Sequence, residues 1–265
     1  MRELIWAFKF LTIVPIDTAG KITTTRYNLV MTWFPIVGLA IGLLLTATAF
    51  VAIQLGFAEP LTACLILLVL TLITGALHVD GLADSADGVL GGATQERRLE
   101  IMRDSRIGSF GAIAIVFDYL LRFCAITQVL QTSNHMVVTA AILCIMPMTG
   151  RWCQAIAAAL CRYARPDEGT GKAFLDSVSW PAVLVGAILP VGFSILLLGV
   201  TGILMLALAV AASLVVVFII WRRIGGMTGD TLGAVNEIAE IALLLAFFVC
   251  FRPTTSSPLL IILGL

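Results

Sequence analysis

The chain has 265 residues, is 60% hydrophobic and 12% charged, and has a mean hydropathy of +1.07. Soluble domains lie near ~45–50% apolar and about 25% charged, so this composition excludes an ordinary soluble protein and specifies an integral membrane one. Sixteen basic and sixteen acidic residues leave no net charge, and hence no basic surface that would point to nucleic acid.

No linker-like shift in composition divides the chain, so residues 1–265 read as one polytopic domain. At the N-terminus, Leu4, Phe8 and Leu11 recur at helical spacing among Arg2, Trp6 and Lys9. Lys9 interrupts the apolar run and no small-residue cleavage site follows. An interfacial helix is therefore expected rather than a signal peptide.

A membrane span needs roughly 20 mostly apolar residues, and runs of about that length set the expected spans. They are Val30–Phe57, Leu61–Leu77, Phe110–Leu130, Met136 to about Gly150 or beyond, Trp180–Val200, Ile203–Ile220 and Ile238–Phe251. The expected fold is thus all-α: a polytopic membrane helical bundle of about seven transmembrane helices plus the N-terminal interfacial helix. The closing LLIILGL is too short to cross. Lys and Arg fall in 1–29, 78–108, 151–179 and at Arg222 and Arg223, whereas the turns at 56–60, 131–135 and 199–202 carry none. By the positive-inside rule the N-terminus and every long polar loop face the cytoplasm, with Arg252 alone on the far side.

The six cysteines (64, 124, 144, 153, 161 and 250) lie in or beside apolar runs without a C-x-x-C pair, and read as small buried hydrophobes. Charge inside the spans is sparse. Asp118 and Arg122 stand four apart on one helical face, as a structural ion pair or as part of a site. Glu237 and Glu240 open the last span, where acidic residues suit the helix dipole. Asp230, one heptad before Glu237, offers a second reading, in which both line a polar pocket.

The exceptional stretch is Thr74–Gly111, TGALHVDGLADSADGVLGGATQERRLEIMRDSRIGSFG. It carries ten of the 32 charged residues and one of the two histidines. Asp80, Asp84 and Asp87 at i, i+4 and i+7 stack along one face of a helix, where like charges repel. Either the face is solvated or a cation sits there, and several carboxylates with oxygen-only donors suit Mg²⁺, Mn²⁺ or Ca²⁺ rather than zinc. Gly75, Gly81, Gly88, Gly91 and Gly92 imply turns or the close approach of a ligand. Arg103 and Arg106 flank Asp104, and their guanidinium forks match phosphate oxygens unless they serve as neighbouring salt bridges. Carboxylates for a cation beside arginines are equipment for chemistry on a diphosphate. His78 either caps the preceding span, orients a phosphate or accepts the proton of an attacking hydroxyl.

The blocks TGALHVDGLADSADG, RLEIMRDSRIGSFG, YARPDEGTGKAF, GGMTGDTLGAVNE, FLTIVP and FPIVGLAIG, of which the first two together are highly specific and which spread over nearly the whole chain, resemble the cobalamin synthase family, the adenosylcobinamide-GDP ribazoletransferases. The resemblance implies a Mg²⁺-dependent, multi-pass enzyme of the bacterial inner membrane whose active site and N-terminus face the cytoplasm. It would join adenosylcobinamide-GDP to α-ribazole or α-ribazole 5′-phosphate, and release GMP. Asp80, Asp84 and Asp87 would hold Mg²⁺, with Asp104 as a further ligand. Together with His78 these three aspartates form the implied catalytic set. Arg103, Arg106, Arg151, Arg165, Lys172, Asp230 and Glu237 would bind substrate. Membrane lipid is an implied partner, and a second copy of the chain or other cobalamin-assembly enzymes are further candidates. The D-G-x-x-A-D-x-x-D-G spacing resembles the CDP-alcohol phosphotransferase motif more loosely, because Asp84 stands where that family has arginine. A transporter with buried acids is the alternative from another class.

Overall fold

The structure, a computed structural model, describes residues 2–16, 27–132, 136–165 and 171–251. The described residues form helices α1 (Arg2–Leu11), α2 (Tyr27–Thr32), α3 (Phe34–Gln54), α4 (Glu59–Thr74), α5 (Leu77–Gly91), α6 (Gln95–Ile101), α7 (Ser109–Thr132), α8 (Met136–Leu160), α9 (Lys172–Leu175), α10 (Trp180–Ile224) and α11 (Gly229–Cys250). No strand occurs among them, only an isolated bridge between Tyr163 and Met227 that ties the segment after α8 to the start of α11.

Among the described residues, five runs are long and apolar enough to cross a membrane: Tyr27–Gln54, α7, α8, α10 and α11; α4 and α5 qualify only as a pair, bent by 87°. The 45 residues of α10 would extend ~68 Å if straight, about twice the hydrocarbon thickness. Gly199 breaks the run with φ 61° and ψ −138°. A Cβ on Gly202 would strike the carbonyl oxygen of Ser194, which a straight helix keeps ~12 Å away, so the two arms fold back on each other. These arms correspond to the expected spans Trp180–Val200 and Ile203–Ile220. The bundle is the expected all-α, multi-pass architecture.

Lipid tails are as apolar as leucine, so helices in a membrane associate through close packing of small residues more than through hydrophobic burial. Gly38 and Gly42, four apart on α3, lie against α8: a Cβ at Gly38 would come within 2.5 Å of the Pro147 carbonyl oxygen, and one at Gly42 within 2.5 Å of the Cys144 Cα. Gly150 of α8 meets Asn236 of α11 in the same way. Leu43, Phe50, Leu184, Ile188, Phe218 and Val249 stay exposed on the outward faces, where lipid would lie.

Several boundaries differ from expectation. Pro35 at the start of α3 lacks an N–H, and the first span is correspondingly divided at Trp33. The second span stops at Thr74 because Gly75 and Ala76 both take left-handed backbone angles, φ 60° and 57°. The polar connection after it is helical, as α5 and α6. α5 turns 87° away from the axis of α4, and with three aspartates it suits the membrane boundary rather than the bilayer centre. α8 continues to Leu160 and absorbs Arg151, and α11 begins at Gly229, so Glu237 and Glu240 lie well inside it rather than in its first turn.

The interfacial helix is also more integrated than expected. α1 packs on α2 and α3, burying Ala7 and Leu11, and Phe10 stacks with Phe34 at 6.1 Å. Cys144 and Cys153 are buried as anticipated, but Cys64 and Cys124 are exposed on outward helix faces. The LLIILGL tail and Arg252 lie outside the described residues.

Candidate active site

α5 presents Asp80, Asp84 and Asp87 along one face, as the i, i+4, i+7 spacing requires. The glycines of this helix serve neighbouring helices rather than a ligand. A Cβ on Gly81 would lie 2.6 Å from the Asp230 carbonyl oxygen, and one on Gly233 of α11 would lie 3.1 Å from that of His78. α5 and α11 therefore cross with their backbones in near contact, which brings Asp230 beside the α5 carboxylates. A capping box fixes the start of α11: Thr228 accepts from the Thr231 N–H, and Thr231 Oγ1 accepts from the Thr228 N–H. One oxygen of Asp230, in the first turn, accepts from Arg165 at 2.9 Å and from the Thr228 hydroxyl at 3.2 Å.

The three α5 aspartates have different surroundings. Asp80 is exposed and Asp84 half-buried. Asp87 is buried, and its two oxygens accept the backbone N–H groups of Gly108 and Gly111 at 2.7 and 2.8 Å. Those N–H groups belong to the N-terminus of α7, where a carboxylate also meets the positive end of the helix dipole. Asp87 thus anchors α7 to α5, and the glycines are required because a Cβ at either position would collide with its carboxylate. Burial, and then the charges of Asp80, Asp230 and Asp87, raise the Asp84 carboxyl to about 7 against the opposing effect of Arg165. Asp84 is the carboxylate whose charge is least compensated.

A cavity of about 190 Å³ opens beside Asp80 and Asp230. Phe10, Phe34 and Phe174 wall it, and His78, Gln154, Leu232 and Gly233 also line it. His78 is buried and without a hydrogen-bond partner at either nitrogen; burial, then the charges of Arg151 and Arg122, push its pKa well below the ordinary imidazole value, so the ring is neutral. Its Nδ1 lies 3.9 Å from Glu237 Oε1.

Beyond His78 lies a buried network. Arg122 bonds Asp118 at 3.1 Å, Glu237 at 2.6 Å and Glu240 at 2.6 Å, and Arg151 pairs with Glu240. Asn236 donates to both glutamates. The expected Asp118–Arg122 pair is present but is one edge of a larger cluster. Arg151, placed in a cytoplasmic loop by the sequence, is instead 1% exposed inside α8, because three more turns of helix follow the apolar run that suggested the span's end. Asp230 and Glu237 do share a face of α11 but divide it: Asp230 reaches the cavity rim and Glu237 the network.

Asp104 and Arg106 form a bidentate pair with each other, and the hydrogen bonds from Arg106 hold the Asp104 carboxyl down at about 2. Both are on the protein surface, with side chains 39% and 87% exposed. Arg103 is likewise exposed, and Lys172 is half-buried at the start of α9, between the cavity-lining residues Gly171 and Phe174.

Among the described residues, no three carboxylate, imidazole or thiol groups have converged to the spacing of metal ligands. The donor chemistry nevertheless fits a hard divalent cation. Asp80, Asp84 and Asp230 are oxygen donors gathered on adjoining helices, and the negative charge around Asp84 disfavours its ionisation until a cation arrives. Asp87 contributes less freely, since both of its oxygens already accept backbone donors.

A family model described as Cobalamin-5-phosphate synthase (CobS) matches residues 3–248, nearly the whole of the described bundle. The chain belongs to this family. Among curated CobS relatives, the adenosylcobinamide-GDP ribazoletransferase of Clostridium novyi is 37% identical over 246 residues, covering 93% of this chain and 96% of the relative. That of Chlorobaculum tepidum is 36% identical, covering 91% and 93%, and that of Escherichia coli O17:K52:H18 is 34% identical, covering 93% and 99%. No solved structure matches the chain. The resemblance that the sequence blocks carried is thereby placed on the cobalamin synthase family, and every α5, α8 and α11 residue described above lies within the matched region.

Sequence reasoning missed Gln154, Phe10, Phe34 and Phe174. The three phenylalanines stand in the blocks FLTIVP, FPIVGLAIG and YARPDEGTGKAF that carried the family resemblance, which was a signal for them, whereas Gln154 lies outside every such block and has an uncharged character that does not distinguish a cavity wall from a core.

Proposed function

We propose that this CobS-family protein is an adenosylcobinamide-GDP ribazoletransferase of the bacterial inner membrane, with its N-terminus and its cavity rim on the cytoplasmic side. The observation that carries the proposal is the rim itself: Asp80 and Asp230 line a cavity, Asp84 feels the charge of both, and Arg165 is bonded to Asp230. A diphosphate could not approach so many carboxylates without a cation, and the reading therefore includes Mg²⁺ held by Asp80, Asp84 and Asp230, with Asp87 behind them. When bound, Mg²⁺ supplies charge neutralisation on the diphosphate. Asp104, committed to Arg106, is the weakest candidate ligand.

In the reaction a ribose hydroxyl of α-ribazole, or of its 5′-phosphate, attacks the phosphorus borne on the corrinoid side chain. One P–O bond forms, the bond to the GMP oxygen breaks, and the hydroxyl proton leaves. Neutral His78, beside the cavity, has a free nitrogen able to orient the hydroxyl or receive that proton. Arg165 stands by the rim for the charge that moves onto GMP, Lys172 stands between the cavity-lining Gly171 and Phe174 as a further phosphate contact, and Arg103 and Arg106 are candidates of lower rank because Arg106 is already paired with Asp104. The Arg122 network fixes Glu237 next to His78; Glu237 and Arg151 act through position rather than by touching substrate.

Purified protein given adenosylcobinamide-GDP, α-ribazole and Mg²⁺ is expected to release GMP, and EDTA to stop it. Absence of GMP in the Mg²⁺ reaction rejects the proposal. Release of CMP from a CDP-alcohol would instead assign a lipid head-group phosphotransferase.

A further inference from the structure

Two buried polar side chains with unused atoms face the same small cavity. Gln154 is 3% exposed; its amide donates to the Leu232 carbonyl at 3.3 Å, while its Oε1 accepts nothing. His78 is 3% exposed and has neither nitrogen engaged. Buried polar atoms in folded proteins are partnered in the great majority of cases, and orphans call for an explanation such as an absent ligand. Around these two the walls are aromatic. Phe174 lies 4.6 Å from Phe10 and 5.7 Å from Phe34, ring centre to ring centre, and Tyr27 supports its edge at 4.9 Å.

We propose that this cavity takes a flat, weakly polar bicyclic heteroaromatic base, the benzimidazole of the acceptor riboside, with Phe10, Phe34 and Phe174 against the ring and Gln154 Oε1 accepting a ribose hydroxyl. The inference rests on the transferase reading for the identity of the riboside, but not for the presence of the site. The size decides against larger groups: about 190 Å³ is below the roughly 300–1,000 Å³ that encloses a drug-sized ligand, so a single ring system fits and a corrin macrocycle does not. Chemistry decides against guanine, whose edge offers more donors and acceptors than two side chains can meet. A lipid acyl chain would leave both orphans unpartnered. An N-ribosylated benzimidazole has one free ring nitrogen, an acceptor that suits a ring N–H of His78, which in this pose holds the base in place of the ribose hydroxyl, and its apolar remainder suits the phenylalanines. With the base inward, the ribose emerges at Asp80 and Asp230, beside the place where the diphosphate must lie.

The test uses the full chain in lipid nanodiscs and measures α-ribazole binding by calorimetry with no corrinoid present. Gln154→Leu is expected to weaken α-ribazole binding about tenfold while leaving GMP affinity unchanged, and Phe174→Ala to weaken it at least as much. Should Phe174→Ala fail to fold, Gln154→Leu decides. On the unaltered chain, an azidobenzimidazole riboside is expected to label the peptides containing Phe174 or Gln154. Labelling elsewhere, unchanged α-ribazole affinity in Gln154→Leu, or loss of GMP rather than α-ribazole affinity overturns the assignment. α-Ribazole binding that depends on Gln154, in a protein that releases no GMP from the corrinoid substrate, would sink the transferase reading and leave this site standing.

Discussion

α11 carries acidic side chains into two different surroundings. In its first turn Asp230 joins Asp80 at the cavity rim, with Asp84 one turn further along α5, and these three carboxylates have the single guanidinium of Arg165 among the contacts described. Two turns later Glu237 and Glu240, with Asp118, meet Arg122 and Arg151 in a buried cluster of three carboxylates and two guanidiniums. The second arrangement is nearly self-compensated and dry, and it joins α7, α8 and α11. The first is unbalanced and open to solvent. Charge that the protein neutralises internally holds helices together; charge that it leaves unbalanced at a cavity is there for something that arrives.

The strongest way to break this contrast is to remove one partner from each side. Arg122→Ala leaves buried carboxylates unpaired, which costs about 3–5 kcal/mol, so its thermal midpoint in detergent is expected to collapse along with its yield. Asp84→Asn is expected to do the reverse. Turnover falls at least about 1,000-fold, or about 4 kcal/mol of transition-state stabilisation, while the thermal midpoint holds or rises. Near wild-type GMP release by Asp84→Asn would take Asp84 out of the site, and a folded, stable Arg122→Ala would show that the network is not structural.

Asp87 tests the boundary between the two kinds of carboxylate. If it is chiefly the anchor of α7, Asp87→Ala loses two charge-assisted hydrogen bonds and about 2 kcal/mol of stability, read from thermal unfolding in the absence of metal. Unchanged stability without Mg²⁺, paired with lost Mg²⁺ binding, would make it a ligand instead.

Acidity sharpens the same point more gently. The folded pKa of Asp84 is raised from 3.8 to about 7, so in the absence of a cation its ionisation disfavours the fold, and its contribution worsens as pH climbs from about 4 to 7. Bound Mg²⁺ favours the ionised form and should remove that loss. The difference in thermal midpoint with and without Mg²⁺ is therefore expected to widen as pH increases through 7, and a difference independent of pH would separate Asp84 from the metal. The smallest effect belongs to Asp104→Asn. Its carboxylate is already held by Arg106 at the surface, so the Mg²⁺ concentration for half-maximal GMP release should move by less than about threefold.

Much of the bundle was legible from the chain because lipid imposes one rule on every span: a long apolar run must be helical. Hydropathy alone therefore located most of the long apolar helices, though the expected span Leu61–Leu77 qualifies only together with α5, and the i, i+4, i+7 register of Asp80, Asp84 and Asp87 put them on one face. The break at Gly199 matched the turn placed between two apolar runs. What the sequence misplaces are helix ends and partners. It puts Arg151 in a loop and gives Glu237 either to a first turn or to a polar pocket, because a charged residue normally ends a span, whereas here each meets an opposite charge from another helix.

The sequence by itself determined an α-helical membrane protein, its family, and a cluster of acids at the membrane boundary, since composition and local periodicity depend on neighbours a few residues apart. Only the tertiary structure decided which acids are spoken for. Asp87 caps α7 from 21 and 24 residues away, Glu240 joins Arg122 and Arg151 across 118 and 89 residues, and Asp230 reaches the α5 face only because Gly81 and Gly233 let two backbones touch. Electrostatic compensation depends on distance in space, and that distance is set by how the helices pack.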